Sequence, residues 1–185
     1  FATDATYATV AAALVKASDD AKIDILSWLG ANHAEKQAAA IAPYVASAND
    51  EIATTAIAAA SKIGGDISLK ALINRMVKEQ NSKAVEEALV TGLLAFNGKI
   101  NDEFVGAMDA NSSSRAIAKQ VLASRRIPAA AQKVLNWVNG GSDDAVAALT
   151  TNAVEGNFAA LCNLFEQGKP MGDAILKAIQ EKSAS

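Results

Sequence analysis

Apolar residues recur along the chain at spacings of three, four and five, a helical period and not the alternation of a strand. Five such stretches stand out: Ile23, Leu26 and Leu29; Ile52, Ile57, Ala60 and Ile63; Val85, Leu89, Leu93 and Phe96; Ile117, Val121 and Leu122; and Val146, Leu149 and Val154. Each leads through a short turn to a second helical stripe. Those second stripes are Ile41 and Val45; Ile67, Leu72, Ile73 and Met76; Ile100, Phe104 and Met108; Val134, Leu135 and Val138; and Phe158, Leu161, Leu164 and Phe165. The turns read Gly30-Ala31-Asn32-His33, Gly64-Gly65-Asp66, Asn97-Gly98-Lys99, Arg126-Ile127-Pro128 and Glu155-Gly156-Asn157. Gly and Asn at such places supply the left-handed backbone that ends helices. Pro128 suits the first turn of the next helix, and Pro43 is expected to kink its helix or delay its start.

The pairs repeat. Ser18-Asp19-Asp20-Ala21 returns as Ser142-Asp143-Asp144-Ala145, 124 residues later, which is four periods of 31. Asn49-Asp50-Glu51, Asn81-Ser82 and Asn111-Ser112 mark the intermediate starts, at steps of 31, 32 and 30. Ser or Asn before acidic first-turn residues satisfies free amides and complements the helix dipole. The Asp pairs therefore read as helix starts, not as acid/base pairs or metal clamps, and the Asn111-Ser112-Ser113 sequon reads as a helix cap.

Composition sharpens this. The chain has 185 residues, of which 42 are alanine and nine aromatic, so its helices are expected to approach closely over a thin core. The expected fold class is all-α, a right-handed αα superhelix of about five to six helical hairpins forming a single domain over residues 1–185. Residues 1–17 and 171–185 each read as one helix where the rest reads as pairs, which suits terminal half-repeats. With Phe1 as its first residue, the chain is expected to be a segment of something longer.

A period of 30 to 34 with paired helices, Trp28-Leu29-Gly30 and Lys62-Ile63-Gly64 closing first helices, and Ile41-Ala42-Pro43-Tyr44-Val45 in a second helix resemble HEAT repeats of the short bacterial kind. The resemblance runs from about Ser18 to Gly168. Later units depart from it, with Leu94-Ala95-Phe96 and Ser124-Arg125-Arg126 in place of the Leu-Gly ending. The Ala, Asn and Ser flavour is also similar to the helical-repeat region that precedes a glucanase-like domain in some exported bacterial proteins. That likeness implies a soluble protein exported to the periplasm or cell surface.

Motifs for chemistry are missing. The sequence has no GxGxxG, P-loop, GxSxG or HExxH pattern, and His33 is the only histidine, in a turn, with no second His or Cys at ligand spacing. No catalytic residue, metal or cofactor is therefore expected. The lone Cys162 forms no internal disulfide, leaves the redox compartment open and reads as a small core residue. Net charge −3 and a pI near 5.2 oppose a nucleic-acid partner, and no apolar run approaches membrane-span length. Arg115, Lys119 and Arg126 share a helical stripe, read as a solvated back in preference to a small anion site.

In a HEAT-like stack the second helices line the concave side, where solenoids bind. Opposite their apolar stripes lie Lys70, Asn74 and Lys78; Asp102, Gly106 and Asp109; Gln132 and Asn136; and Asn163 and Gln167. Such a row suits a protein or another polar polymer, and equally suits ordinary solvated helix. Trp137 sits just off its stripe, as core edge or ligand anchor, whereas Trp28 reads as packing. The leading expectation is a non-catalytic binding scaffold within a larger protein. A HEAT-like DNA glycosylase or lyase and a purely structural spacer are the alternatives.

Overall fold

The computed structural model describes residues 2–167. Among them are eleven α-helices, four short 3₁₀ turns and no strand. The helices are α1 (Asp4–Ala13), α2 (Asp19–Ala31), α3 (Ala38–Val45), α4 (Asp50–Ile63), α5 (Gly65–Met76), α6 (Lys83–Leu94), α7 (Asp102–Ala107), α8 (Ser112–Ser124), α9 (Ala131–Asn139), α10 (Val146–Asn152) and α11 (Phe158–Glu166). The predicted half-repeat 171–185 lies outside the described residues, as do the side chains of Phe158 and Phe165. Internal contacts gather the chain into two compact units, Phe1–Ile117 and Ala118–Ser185.

In the first unit α2, α4 and α6 pack in succession, and so do α3, α5 and α7. The two series also meet each other, α3 on α4, α4 on α5 and α5 on α6. Small residues make the first series close. A Cβ on Gly30 would stand 2.7 Å from the Ala59 Cα, and one on Gly92 would stand 2.5 Å from the Ser61 Oγ. The abundant alanine serves the same end: Ala53, Ala56, Ala59 and Ala60 of α4 are all buried. Large side chains then fill the space between the series, with Leu26, Leu29, Ile41, Ile57, Leu72, Leu89, Leu93, Phe104 and Met108 completely covered. Each contributes about 1.5–3 kcal/mol by leaving water.

The helix starts confirm the register in four of five cases. Ser18 Oγ accepts from Ala21 N at 3.4 Å, Asn49 Oδ1 from Glu51 N at 3.0 Å, Ser82 Oγ from Val85 N at 3.3 Å and Asn111 Oδ1 from Ser114 N at 2.8 Å. Asn111 also donates through Nδ2 to Val77 O at 2.8 Å, so the sequon asparagine is a structural cap. Ser142 departs from the pattern. Its hydroxyl takes the Lys119 ammonium at 2.7 Å and meets Asp144 at 3.0 Å, and Asp143–Ala145 forms a 3₁₀ turn before α10 in place of a capped α-helical turn.

Several turns differ from expectation for tertiary reasons. Gly30 lies inside α2, where its missing side chain admits Ala59; the left-handed residue of that turn is His33, at φ 49°. The His33 Nδ1 donates to Lys62 O at 2.8 Å, and Asn97 Nδ2 donates to the same carbonyl at 3.3 Å. The end of α4 is thereby tied to the turn after α2 and the turn after α6. Gly64 and Gly65 are left-handed as expected, at φ 75° and 76°. Pro128 opens a 3₁₀ turn before α9. Pro43 lies within α3, which continues to Val45 and stops within its next turn. Ile67 is a correction: the buried stripe of α5 runs through Leu69, Leu72, Ile73 and Met76, while Ile67 is 52% exposed.

In the second unit α9 packs on α10 and on the 3₁₀ turns flanking it. Its polar centre is Asn152, wholly buried at the end of α10. Nδ2 donates to Leu122 O at 2.7 Å and Ala148 O at 2.9 Å, and Oδ1 accepts from Ile127 N. One side chain thus joins the end of α10 to the end of α8 and the turn after it.

The Asp144 carboxylate binds Lys119 Nζ at 2.7 Å, and this hydrogen bond holds its pKa below the ordinary carboxylate value. A depressed folded-state pKa contributes stability at neutral pH that is lost as pH falls through it. Because Asp144 is largely exposed, the pair is worth under about 1 kcal/mol. Asp144→Asn is therefore expected to lower the melting temperature by a few degrees at pH 7, and thermal melts at successive pH values should show the difference closing below about pH 4.

Candidate functional site

The sequence-predicted binding residues fall into several places. Lys70 and Asn74 on α5 and Lys78, two residues beyond its end, come together in a groove of about 300 Å³ between α5 and the end of α3. Ala42, Ala46, Ile67, Ala71 and Arg75 complete its lining. Asp102 sits exposed in the first turn of α7, which Asn101 caps. Asp109 accepts from Arg115 Nε at 2.8 Å, an ion pair of the chain's own. Gln132 and Asn136 are exposed on α9 and bonded to each other at 3.1 Å. Asn163 on α11 and Gln167 just beyond it are exposed, with Gln167 N bonded to Asn163 O at 3.1 Å. Trp137 is only 8% exposed, so its ring belongs to the core and offers no accessible face for anchoring a ligand.

The groove arises from the way α3 and α5 are built. Ala at positions 42, 46 and 71 keeps the floor low, and the α5 stripe turns Lys70, Asn74 and Lys78 away from the core. Two cations tie the helices together there: Arg75 Nη1 donates to Ser47 O at 2.9 Å and Lys78 Nζ to Ala46 O at 3.3 Å. Beneath them, Asn81 Nδ2 closes α5 on the carbonyls of Arg75 and Lys78. The Arg75 side chain is 6% exposed, and its Nε is buried without a partner. Arg75 was not picked out by sequence, and Ile67 was assigned there to the core stripe instead of to a binding surface. The available signal was the stretch Ile67–Lys78, which holds three cations and no acid in a net-acidic chain.

A second pair of grooves lies along the other series. One, of about 430 Å³ between α4 and α6, is lined mainly by Thr54, Ala58, Ser61, Ala88, Thr91 and Gly92, with Lys62 and Glu87 of opposite sign at its edges. It expresses the close approach of small residues and has no convergent charge. The Arg115/Lys119 stripe is likewise spent, since Arg115 pairs with Asp109 and Lys119 with Asp144.

Cys162 is half-buried on α11. Trp28 packs its ring on Tyr7 with centroids 5.3 Å apart. Among the described residues no three His, Cys, Asp or Glu side chains gather where they would hold a metal. No helix among them is long and apolar enough to cross a membrane. No protein-family model, no curated protein and no solved structure matches the chain.

Proposed function

We propose that the chain is a non-catalytic interaction scaffold, a HEAT-like stack of helical hairpins whose second helices carry the binding surface. The observation that carries the reading is the groove over α3 and α5, where Lys70, Asn74 and Lys78 converge beside an exposed Ile67. An exposed large apolar residue beside exposed polar side chains in a groove is the usual make-up of a recognition surface. The succession α2, α4, α6 beside α3, α5, α7 supports the stack, since each hairpin covers the apolar face of the next. The likeness of its Ala, Asn and Ser flavour to the helical-repeat region of some exported bacterial proteins supports export as one domain of a larger protein.

Immobilised protein exposed to an extract of its source cells tests the reading. Wild type and Thr91→Trp, which fills the groove of the other series, are expected to retain the same discrete partner, and Asn74→Trp is expected to lose it. Retention of the same partner by Asn74→Trp, with its helical circular dichroism intact, would show that binding lies elsewhere.

A further inference from the structure

The lining of the α3–α5 groove holds three cations and no carboxylate. These are Lys70, Arg75 and Lys78, in a chain of net charge −3; the nearest carboxylates in sequence, Asp66 and Glu79, stand just outside the lining. Facing it, α3 (Ala38–Val45) carries no charged residue at all. Lys70, Arg75 and Lys78 take no part in the ion pairs Lys22–Asp19, Lys36–Asp4, Lys83–Glu87, Arg115–Asp109 and Lys119–Asp144. Arg75 is 6% exposed, with a carbonyl partner for Nη1 and none for the buried Nε. Burying a cation without an anion is costly, and a negative group at the groove mouth offsets that cost.

The other half of the lining is apolar. Ala42, Ala46 and Ala71 form the floor and Ile67, 52% exposed, stands at one end. A polyphosphate has no use for such a floor, and the net-acidic chain repels a polyanion as a whole. A peptide uses both halves. Lys70 lies on α5 and Lys78 two residues beyond its end at Met76, about 12 Å further on if the helical rise is extended through that last turn. Carboxylates four residues apart on one face of an extended peptide are separated by about 13 Å. The side chain between them faces Ala71 and Asn74, and an apolar residue two positions before the first carboxylate reaches Ile67.

We propose, on the reading that the second helices carry the binding surface, that this groove holds an extended acidic segment of a partner protein. Two carboxylates of that segment, four residues apart, pair with Lys70 and Lys78, and an apolar side chain lies on Ile67. Electrostatic pairing of this kind sets the specificity, and the apolar contact adds affinity.

The probe is a fluorescein-labelled, C-terminally amidated peptide, Leu-Ser-Glu-Ser-Ala-Ser-Glu, with a partner in which both Glu are Gln, read by fluorescence polarisation at low ionic strength. The Glu peptide is expected to bind at least about tenfold tighter than the Gln peptide, a margin of 1.4 kcal/mol. Lys70→Glu/Lys78→Glu should erase that margin, and Lys99→Glu, at an exposed lysine outside the groove, should leave it unchanged. Both groove lysines are exposed, so a melt matching wild type is expected; Lys70→Gln/Lys78→Gln serves if the reversed pair does not fold. Equal binding of the two peptides, no binding of either, or insensitivity to the lysine changes overturns the proposal. Displacement of the Glu peptide by an equal concentration of oligothymidine would assign the groove to nucleic acid and overturn it also. If neither peptide binds while Asn74→Trp still abolishes capture of the cellular partner, the acidic-peptide assignment fails alone. If Asn74→Trp has no effect on capture either, the scaffold reading falls with it.

Discussion

Gly64→Ala is expected to cost at least about 3 kcal/mol, enough to unfold or severely weaken the first unit. Gly64 has φ 75° and ψ −161°, a combination open essentially to glycine. A Cβ built there would lie 1.9 Å from the Asn97 carbonyl oxygen, so the backbone of the turn after α6 would have to move away. That movement would break the Asn97 N to Ser61 O bond of 2.9 Å and the Asn97 Nδ2 bond to Lys62 O. Gly65→Ala is the internal control. Gly65 is also left-handed, at φ 76°, but a Cβ there meets nothing within 4 Å. Its cost should be the conformational one alone, about 1 kcal/mol. Urea melts of the two variants separate the strain of the turn from the close approach of adjacent units.

The second large effect belongs to Asn152→Leu, expected to cost about 3 kcal/mol although the side chains share branching and heavy-atom count. The leucine removes the two donors serving Leu122 O and Ala148 O and the acceptor serving Ile127 N. Ala148 O sits inside a helix, but Leu122 O and Ile127 N lie at a helix end and its turn, where an unmade buried bond costs about 1–3 kcal/mol each. Asn152→Asp is expected to be no better at neutral pH. Its carboxylate accepts from Ile127 N yet faces the carbonyl of Leu122 with a second negative oxygen and is buried as a charge. Equilibrium unfolding of both variants in denaturant checks the pair, and a loss below about 1 kcal/mol for both would mean that Asn152 is dispensable to the second unit.

What the sequence made legible was local. Helix starts are signalled by a side chain that bonds two or three residues ahead, so Ser18, Asn49, Ser82 and Asn111 could be read directly. Helical stripes follow from spacing, and where spacing was strict they held: Leu89 and Leu93, Phe104 and Met108, Val134 and Val138 are all buried. Ile67 was misread because it stands five residues before Leu72, a spacing off the stripe. Leu69, Leu72, Ile73 and Met76 make the true face, and Ile67 lies two positions before Leu69, about 200° around the helix. Ser142 repeats the Ser18 tetrapeptide, yet Lys119 reaches it from 23 residues away and takes the hydroxyl that would have capped a helix.

Long-range effects of that kind were out of reach. Nothing local in Trp28-Leu29-Gly30 says that Gly30 serves Ala59, and nothing in the turn around His33 says that its ring holds Lys62 O. The candidate site was legible in half. The row Lys70, Asn74 and Lys78 followed from helical phase, but the groove depends on Ala42 and Ala46 of α3 standing opposite, and on Arg75 being drawn inward to Ser47. Trp137 shows the reverse: one helical turn after Val134, it was near enough to the stripe to be taken into the core.

The central claim, that the second helices and not the first carry the binding surface, is tested most directly by a photoreactive amino acid placed singly along both series in living cells. Lys70 and Asn74 represent the α3–α5 groove, and Ala58 and Thr91, exposed on α4 and α6, represent the other. Irradiation is predicted to give a discrete crosslinked species from positions 70 and 74 and none from 58 and 91. Discrete adducts from 58 and 91 alone would contradict it.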